Sequence, residues 1–123
     1  MVALAGPSGA LLVDGGLAVN SALLLKAVHG KLGTRRIDTL INTHWHPEQT
    51  GLNAAAGKDG ATLIGHEVTR LYTGRKVISP LFDGTIGPLP EAARPKKTTY
   101  DQGTLEFAGE EVQYRHLPGA HTG

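Results

Sequence analysis

An α/β fold with a parallel sheet is what this chain predicts, on three observations. An apolar stretch, a short Ala-rich stretch and a second apolar stretch follow one another over residues 37–65. That is the order of a βαβ unit, whose strands run parallel with a right-handed crossover. An amphipathic helical pattern precedes this unit, and hairpin-like sequences stand near both ends of the chain. With 123 residues, 17 of them Gly and 7 Pro, the sequence has the length of one domain or part of one, and its 40% hydrophobic residues can supply a core.

Taken in order, residues 1–5 and 10–14 are short apolar runs flanking Gly6-Pro7-Ser8-Gly9, the composition of a hairpin loop. No polar lead-in precedes the first strand, so the expectation is that Met1 is not the natural start. Leu24, Val28 and Leu32 recur at i, i+4 and i+8 with Leu25 beside them, which predicts a helix with Asn20 or Ser21 as N-cap and Gly33 just past its end. Residues 37–43 read as a buried strand with Ile37, Leu40 and Ile41 as its apolar positions. Residues 50–57 read as a short helix, 61–65 as a second buried strand and 67–72 as another short helix. Residues 74–95 hold Pro80, Pro88, Pro90 and Pro95 and read as a long surface loop. Residues 104–107 and 111–117 alternate apolar and polar across Ala108-Gly109-Glu110, a second hairpin.

Composition narrows the function. Lys and Arg total 12 against 11 Asp and Glu, a net charge of +1 with 19% charged residues, so no strong field draws in nucleic acid or a membrane surface. The expected partner is a small-molecule substrate. Arg94, Lys96 and Lys97 read as a solvated basic loop. No apolar run approaches the ~18 residues that span a bilayer, and the first basic side chain is Lys26, so a signal peptide is not expected. The compartment stays open. There is no Cys, so disulfides, thiolate metal sites and a Cys nucleophile drop out, and any metal must use His and carboxylate.

Six His in so short a chain direct attention to metal chemistry. His44 and His46 stand two apart at the end of a predicted strand, where a period of two puts both imidazoles on one side and Trp45 on the other. His121 follows the second hairpin, so a third imidazole from a distant element can complete the three-ligand open site of catalytic zinc. Of the rest, His66 reads as a polar residue near a helix cap, His29 as surface and His116 as packing beside Tyr114. Trp45 reads as a core plug or as part of a substrate floor.

Thr43-His44-Trp45-His46-Pro47-Glu48-Gln49-Thr50-Gly51 resembles the T-H-x-H-x-D-H-x-G signature of the metallo-β-lactamase-fold superfamily. Leu11-Leu12-Val13-Asp14-Gly15-Gly16 is similar to its preceding L-x-D-x-G motif, and Leu117-Pro118-Gly119-Ala120-His121-Thr122-Gly123 to its later G-H-T-x-G loop. The Trp-His-Pro variant and Gly65-His66-Glu67 are most similar to broad bacterial hydrolases of the fold, including some associated with quinoprotein pathways.

The resemblance implies an αββα sandwich of which this chain, residues 1–123, is the N-terminal half, a partial domain truncated at both ends. It implies that His44, His46 and His121 hold a first zinc ion and that Asp14 orients a ligand. Glu48 falls at the family's Asp position, as a weak metal ligand and the catalytic base, and Gln49 at its second His position. Glu keeps the charge but adds a methylene; Gln offers zinc only an amide oxygen. The cofactor expectation is therefore one good zinc site and a weakened second. The implied function is metal-dependent hydrolysis of an ester, thioester, lactam or phosphoester. The alternatives are a mononuclear iron redox enzyme acting on sulfur substrates and a non-catalytic metal-binding member of the fold. Because the two predicted buried strands need a layer on each side, the half-domain taken alone is expected to leave one sheet face bare, to be catalytically inert and to self-associate.

Overall fold

A computed structural model describes residues 1–79 and 84–121. Strands β1 (Val2–Gly6) and β2 (Gly9–Val13) form the opening antiparallel hairpin, Val2 opposite Val13 and Gly6 opposite Gly9. A 3-10 turn at Ala18–Asn20 leads into helix α1 (Ser21–Leu32). Asn20 occupies the N-cap position without a side-chain hydrogen bond, and Gly33 ends the helix at φ 66, its N–H donating to the His29 carbonyl.

Strand β3 (Ile37–Ile41) pairs in parallel with β2. It stops two residues short of the expected Thr43. Asn42 N–H still donates to the Ile64 carbonyl at 2.9 Å, but Thr43 N–H turns to the Asp14 carboxylate at 2.9 Å, which ends the ladder. The single helix expected over residues 50–57 is two, α2 (Pro47–Thr50) and α3 (Asn53–Lys58). Pro47 lacks the N–H that a first helical residue would leave unpaired, so α2 starts there. At Gly51 the chain runs against residues 16–18: Gly51 N–H donates to the Gly16 carbonyl at 2.9 Å, and a Cβ would strike that backbone.

Strand β4 (Thr62–His66) pairs in parallel with β3 and feeds α4 (Glu67–Thr73). The long loop expected over 74–95 instead carries an antiparallel hairpin, β5 (Val77–Ser79) with β6 (Gly84–Ile86), and a 3-10 turn at Glu91–Ala93. Pro80 lies outside the described residues. Lys97, expected in a solvated loop, opens β7 (Lys97–Thr99), which adds in parallel to the free edge of β4 with Lys97 opposite Ile64. Strands β8 (Gln102–Phe107) and β9 (Glu110–Arg115) form the last hairpin around a two-residue turn, Ala108 and Gly109, both at positive φ.

The main sheet has the order β1-β2-β3-β4-β7. Side chains alternate along its strands, so Leu12, Leu40 and Leu63 face the helices and bury with Val28 of α1, Leu52 at the N-cap of α3 and Ala56 within α3. Leu11, Ile41 and Ile64 face the other way, where Leu105 and Phe107 of β8 and Val112 and Tyr114 of β9 pack on them. The face expected to be bare is thus covered in part by the chain's own hairpin. That correction follows from the alternation in β8 and β9, which gives their ribbon one apolar side.

Candidate metal centre

Residues 42–46 leave the C-terminal end of β3. Asn42, buried, donates its amide to Asn53 Oδ1 at 3.0 Å and to the Gln49 carbonyl at 3.2 Å. Asn53 returns a bond to Asn42 Oδ1 at 2.7 Å and another to the Ala93 carbonyl at 2.9 Å. This amide pair fixes where the loop departs.

Asp14 directly follows β2 at φ 62, and its carboxylate accepts both the Thr43 N–H and the Thr43 hydroxyl, each at 2.9 Å. A hydroxyl has one proton to give. With that proton on Asp14, Thr43 Oγ1 is left to accept from His44 Nδ1, 3.1 Å away. The protonated Nδ1 puts the lone pair of the neutral ring on Nε2. His44 Nε2 is buried and has no hydrogen-bond partner among the described residues, whereas buried polar atoms are ordinarily paired.

His46 is buried at the N-cap position of α2, extended at φ −63 and ψ 153. Its carbonyl accepts from the N–H of Gln49 and of Thr50 and from the Thr50 hydroxyl, at 3.0–3.1 Å. The two imidazoles converge through this loop-to-helix turn, not through strand alternation, since β3 has already ended. His121 arrives from beyond β9, where Ala120 N–H donates to the Leu117 carbonyl at 3.1 Å. Thr122 and Gly123 of the G-H-T-x-G-like loop lie outside the described residues.

The three rings stand nearly perpendicular to one another, with centroids 4.8 Å (His44–His46), 4.6 Å (His44–His121) and 5.1 Å (His46–His121) apart. One ring nitrogen from each lies within 4.8 Å of the others. Burial lowers the pKa of His44, and neighbouring His46 and His121 lower it further, against the opposing pull of Asp14 and Glu48. A neutral imidazole is the form a metal needs.

Glu48 Oε1 lies 3.6 Å from His46 Nδ1, while Glu48 Oε2 and Gln49 Oε1 are buried without a partner among the described residues. The orphaned atoms of residues 44, 48 and 49 are all lone-pair donors, a set that a cation satisfies and an anion does not. A cavity of about 510 Å³ opens between the sheet and β9, with His44 and His121 in its lining and Val13, Ile41, Ile64 and Val112 among its walls.

The remaining His have other duties. His66 caps α4: Nδ1 accepts from Val68 N–H at 3.2 Å, which leaves Nε2–H to donate to the Tyr100 carbonyl at 3.1 Å. His116 stacks on it, centroids 4.4 Å apart at 28°. His29, expected at the surface, is half-buried on α1. Trp45, half-buried, lies against Tyr72. Thr43 as the link between Asp14 and His44 was missed by sequence reasoning, as was the Asn42–Asn53 pair. A polar residue just after an apolar strand was the one available signal for the latter.

The sequence model of the Metallo-beta-lactamase superfamily matches residues 1–123. Comparison with curated proteins finds no match. Among solved structures, the chain is similar to a subclass B3 metallo-beta-lactamase of Bradyrhizobium japonicum, with 19% identity and a TM-score of 0.75 over 98% of this chain and 46% of that one. It is similar to a class B3 di-zinc metallo-beta-lactamase from an Alaskan soil metagenome, with 24% identity and a TM-score of 0.73 over 98% and 47%. A beta-lactamase from Chitinophaga pinensis aligns with 23% identity and a TM-score of 0.74 over 95% and 45%. The chain spans a little under half the length of these structures.

Proposed function

Because the chain belongs to the metallo-beta-lactamase superfamily, we propose that it supplies the zinc-holding half of a hydrolase site, with His44, His46 and His121 as the ligands. The observation that carries this reading is the triad of ring nitrogens within 4.8 Å, together with the buried, unpartnered Nε2 of His44. The di-zinc relative from soil adds support for zinc over other metals. Zinc in such a site supplies Lewis acidity, making water nucleophilic near neutral pH and polarising a carbonyl or phosphoryl oxygen.

The chain's own residues do the rest. Asp14 and Thr43 hold His44 in the tautomer that presents Nε2. Glu48, with one carboxylate oxygen near His46 and the other unpartnered, is the general base that takes a proton from water. Gln49 replaces a nitrogen donor with an amide oxygen and weakens a second metal position. The substrate class is an ester, thioester, lactam or phosphoester small enough to enter from the cavity beside His44 and His121.

Metal analysis and equilibrium dialysis test the reading. The expected result is one tightly held zinc per chain, lost in His44→Ala and His121→Ala, with a second ion gained when Glu48→Asp is combined with Gln49→His. Equal occupancy of two ions in the unaltered chain contradicts the assignment of Gln49. Iron in place of zinc, with oxygen consumption on sulfur substrates, favours a mononuclear redox site. Retained zinc without turnover of all four substrate classes, once the chain is joined to the other half of the domain, favours a binding-only role.

A further inference from the structure

We infer that Tyr72 is a positioning residue for the metal centre, acting on His46 through a ring ladder whose middle member is Trp45; this rests on the zinc reading above. Trp45 is the chain's one Trp and stands between the two paired His. Its ring meets the His46 imidazole edge-on, centroids 4.5 Å apart at 75°, and lies nearly parallel to Tyr72, 4.8 Å away at 17°. The Arg75 guanidinium carbon sits 5.0 Å from the centre of the Tyr72 ring. Parallel stacking and a cation over a ring face are both attractive and directional.

Both ends of the 42–46 loop are tied through backbone or amide bonds, at Asn42 and Thr43 on one side and at the start of α2 on the other. None of those bonds fixes the angle of the His46 ring. Glu48 Oε1 faces that ring on one side, 3.6 Å from Nδ1, and Trp45 walls it on another; Trp45 is half-buried and needs a support of its own. Tyr72 is that support. It rides on the last turn of α4, a helix capped by His66 and anchored by buried Thr69 and Thr73. Hydrogen-bonding partners that orient a ligand from outside the ligand shell typically govern metal affinity by about 10- to 100-fold, and a packed ring wall is placed at the lower end of that range.

The experiment compares the unaltered chain with Tyr72→Phe, which keeps the stack, Tyr72→Ala, which removes it, and Leu71→Ala, an exposed neighbour on the same helix. Zinc affinity is read by competition with a chromophoric chelator, and the fold by far-UV circular dichroism. Trp45 emission and the metal-free His46 ring resonances are also recorded. Tyr72→Ala is expected to weaken zinc about 10-fold or more, to red-shift Trp45 emission and to move the His46 resonances. Tyr72→Phe and Leu71→Ala should stay within about twofold of the parent, a margin well inside that range.

Should Tyr72→Ala lose its helical signal, Tyr72→Leu replaces it with the same expectation. A folded variant lacking the stack that binds zinc like the parent, or a Tyr72→Phe as weak as Tyr72→Ala, overturns the inference. If the parent binds no zinc, the zinc reading fails, and the His46 resonances still decide the ladder: unmoved by loss of the stack, they refute it.

Discussion

Thr43 carries the most chemistry per atom in the site, because one hydroxyl links the Asp14 carboxylate to the ring of His44. Thr43→Val keeps the shape and removes the link. Zinc affinity is expected to fall about 10- to 100-fold with an unchanged circular dichroism spectrum, and Thr43→Ser should restore most of it. His44 also gives the metal-free chain a pH signature. Its pKa is lowered by burial and by two neighbouring imidazoles, so the unfolded chain binds more protons than the folded one, and stability rises with pH across this range. The urea midpoint should drop as pH falls from about 7.5 through the ordinary His value near 6.5, and His44→Asn should flatten that slope. The residue types and spacing of His44 and His46 were visible in the sequence. The tautomer of His44 was not, because it is set through Thr43 by a carboxylate 29 positions from that threonine, which only the pairing of β2 with β3 brings close.

At the scale of elements, the Asn42–Asn53 pair joins the end of β3 to α3 and to the turn at Ala93. Asn53→Ala leaves Asn42 Oδ1 and the Ala93 carbonyl without their donor in a buried place. Each such loss costs about 1–3 kcal/mol, so a destabilisation of about 2–6 kcal/mol is expected from urea titration. The double variant with Asn42→Ala should cost less than the two single losses combined, since both remove the same bonds. Strands β3 and β4 were legible as apolar runs, and α1 from its spacing and Gly33. Strand β7, Lys-Thr-Thr, has no apolar signal and exists because β4 offers it an edge. The division into α2 and α3 was hidden because Gly51 is needed for a close approach to residues 16–18, a tertiary demand.

For the whole molecule, the two-faced sheet leaves β1 as an outer strand with no charged residue, Val2 58% and Leu4 44% exposed. Uncharged edges of this kind invite pairing with another chain. Size-exclusion chromatography at about 100 μM, a concentration at which exposed edges associate, is expected to show species larger than a monomer, and Leu4→Lys should return them to monomer. The sequence pattern anticipated the sheet's two-sided burial; the hairpin that fills the second side was seen only as a hairpin, since nothing local says where a ribbon lands. The triad's geography has a consequence for the mechanics of the chain. His46 and His121 are separated by roughly 75 residues of chain, so an ion gripping both closes a long loop and acts as a removable cross-link that restricts the denatured ensemble. Chelator should therefore do more than empty a site. It should lower the Tm and accelerate amide exchange first in β9, making free zinc a thermostat for how firmly the second layer is fastened.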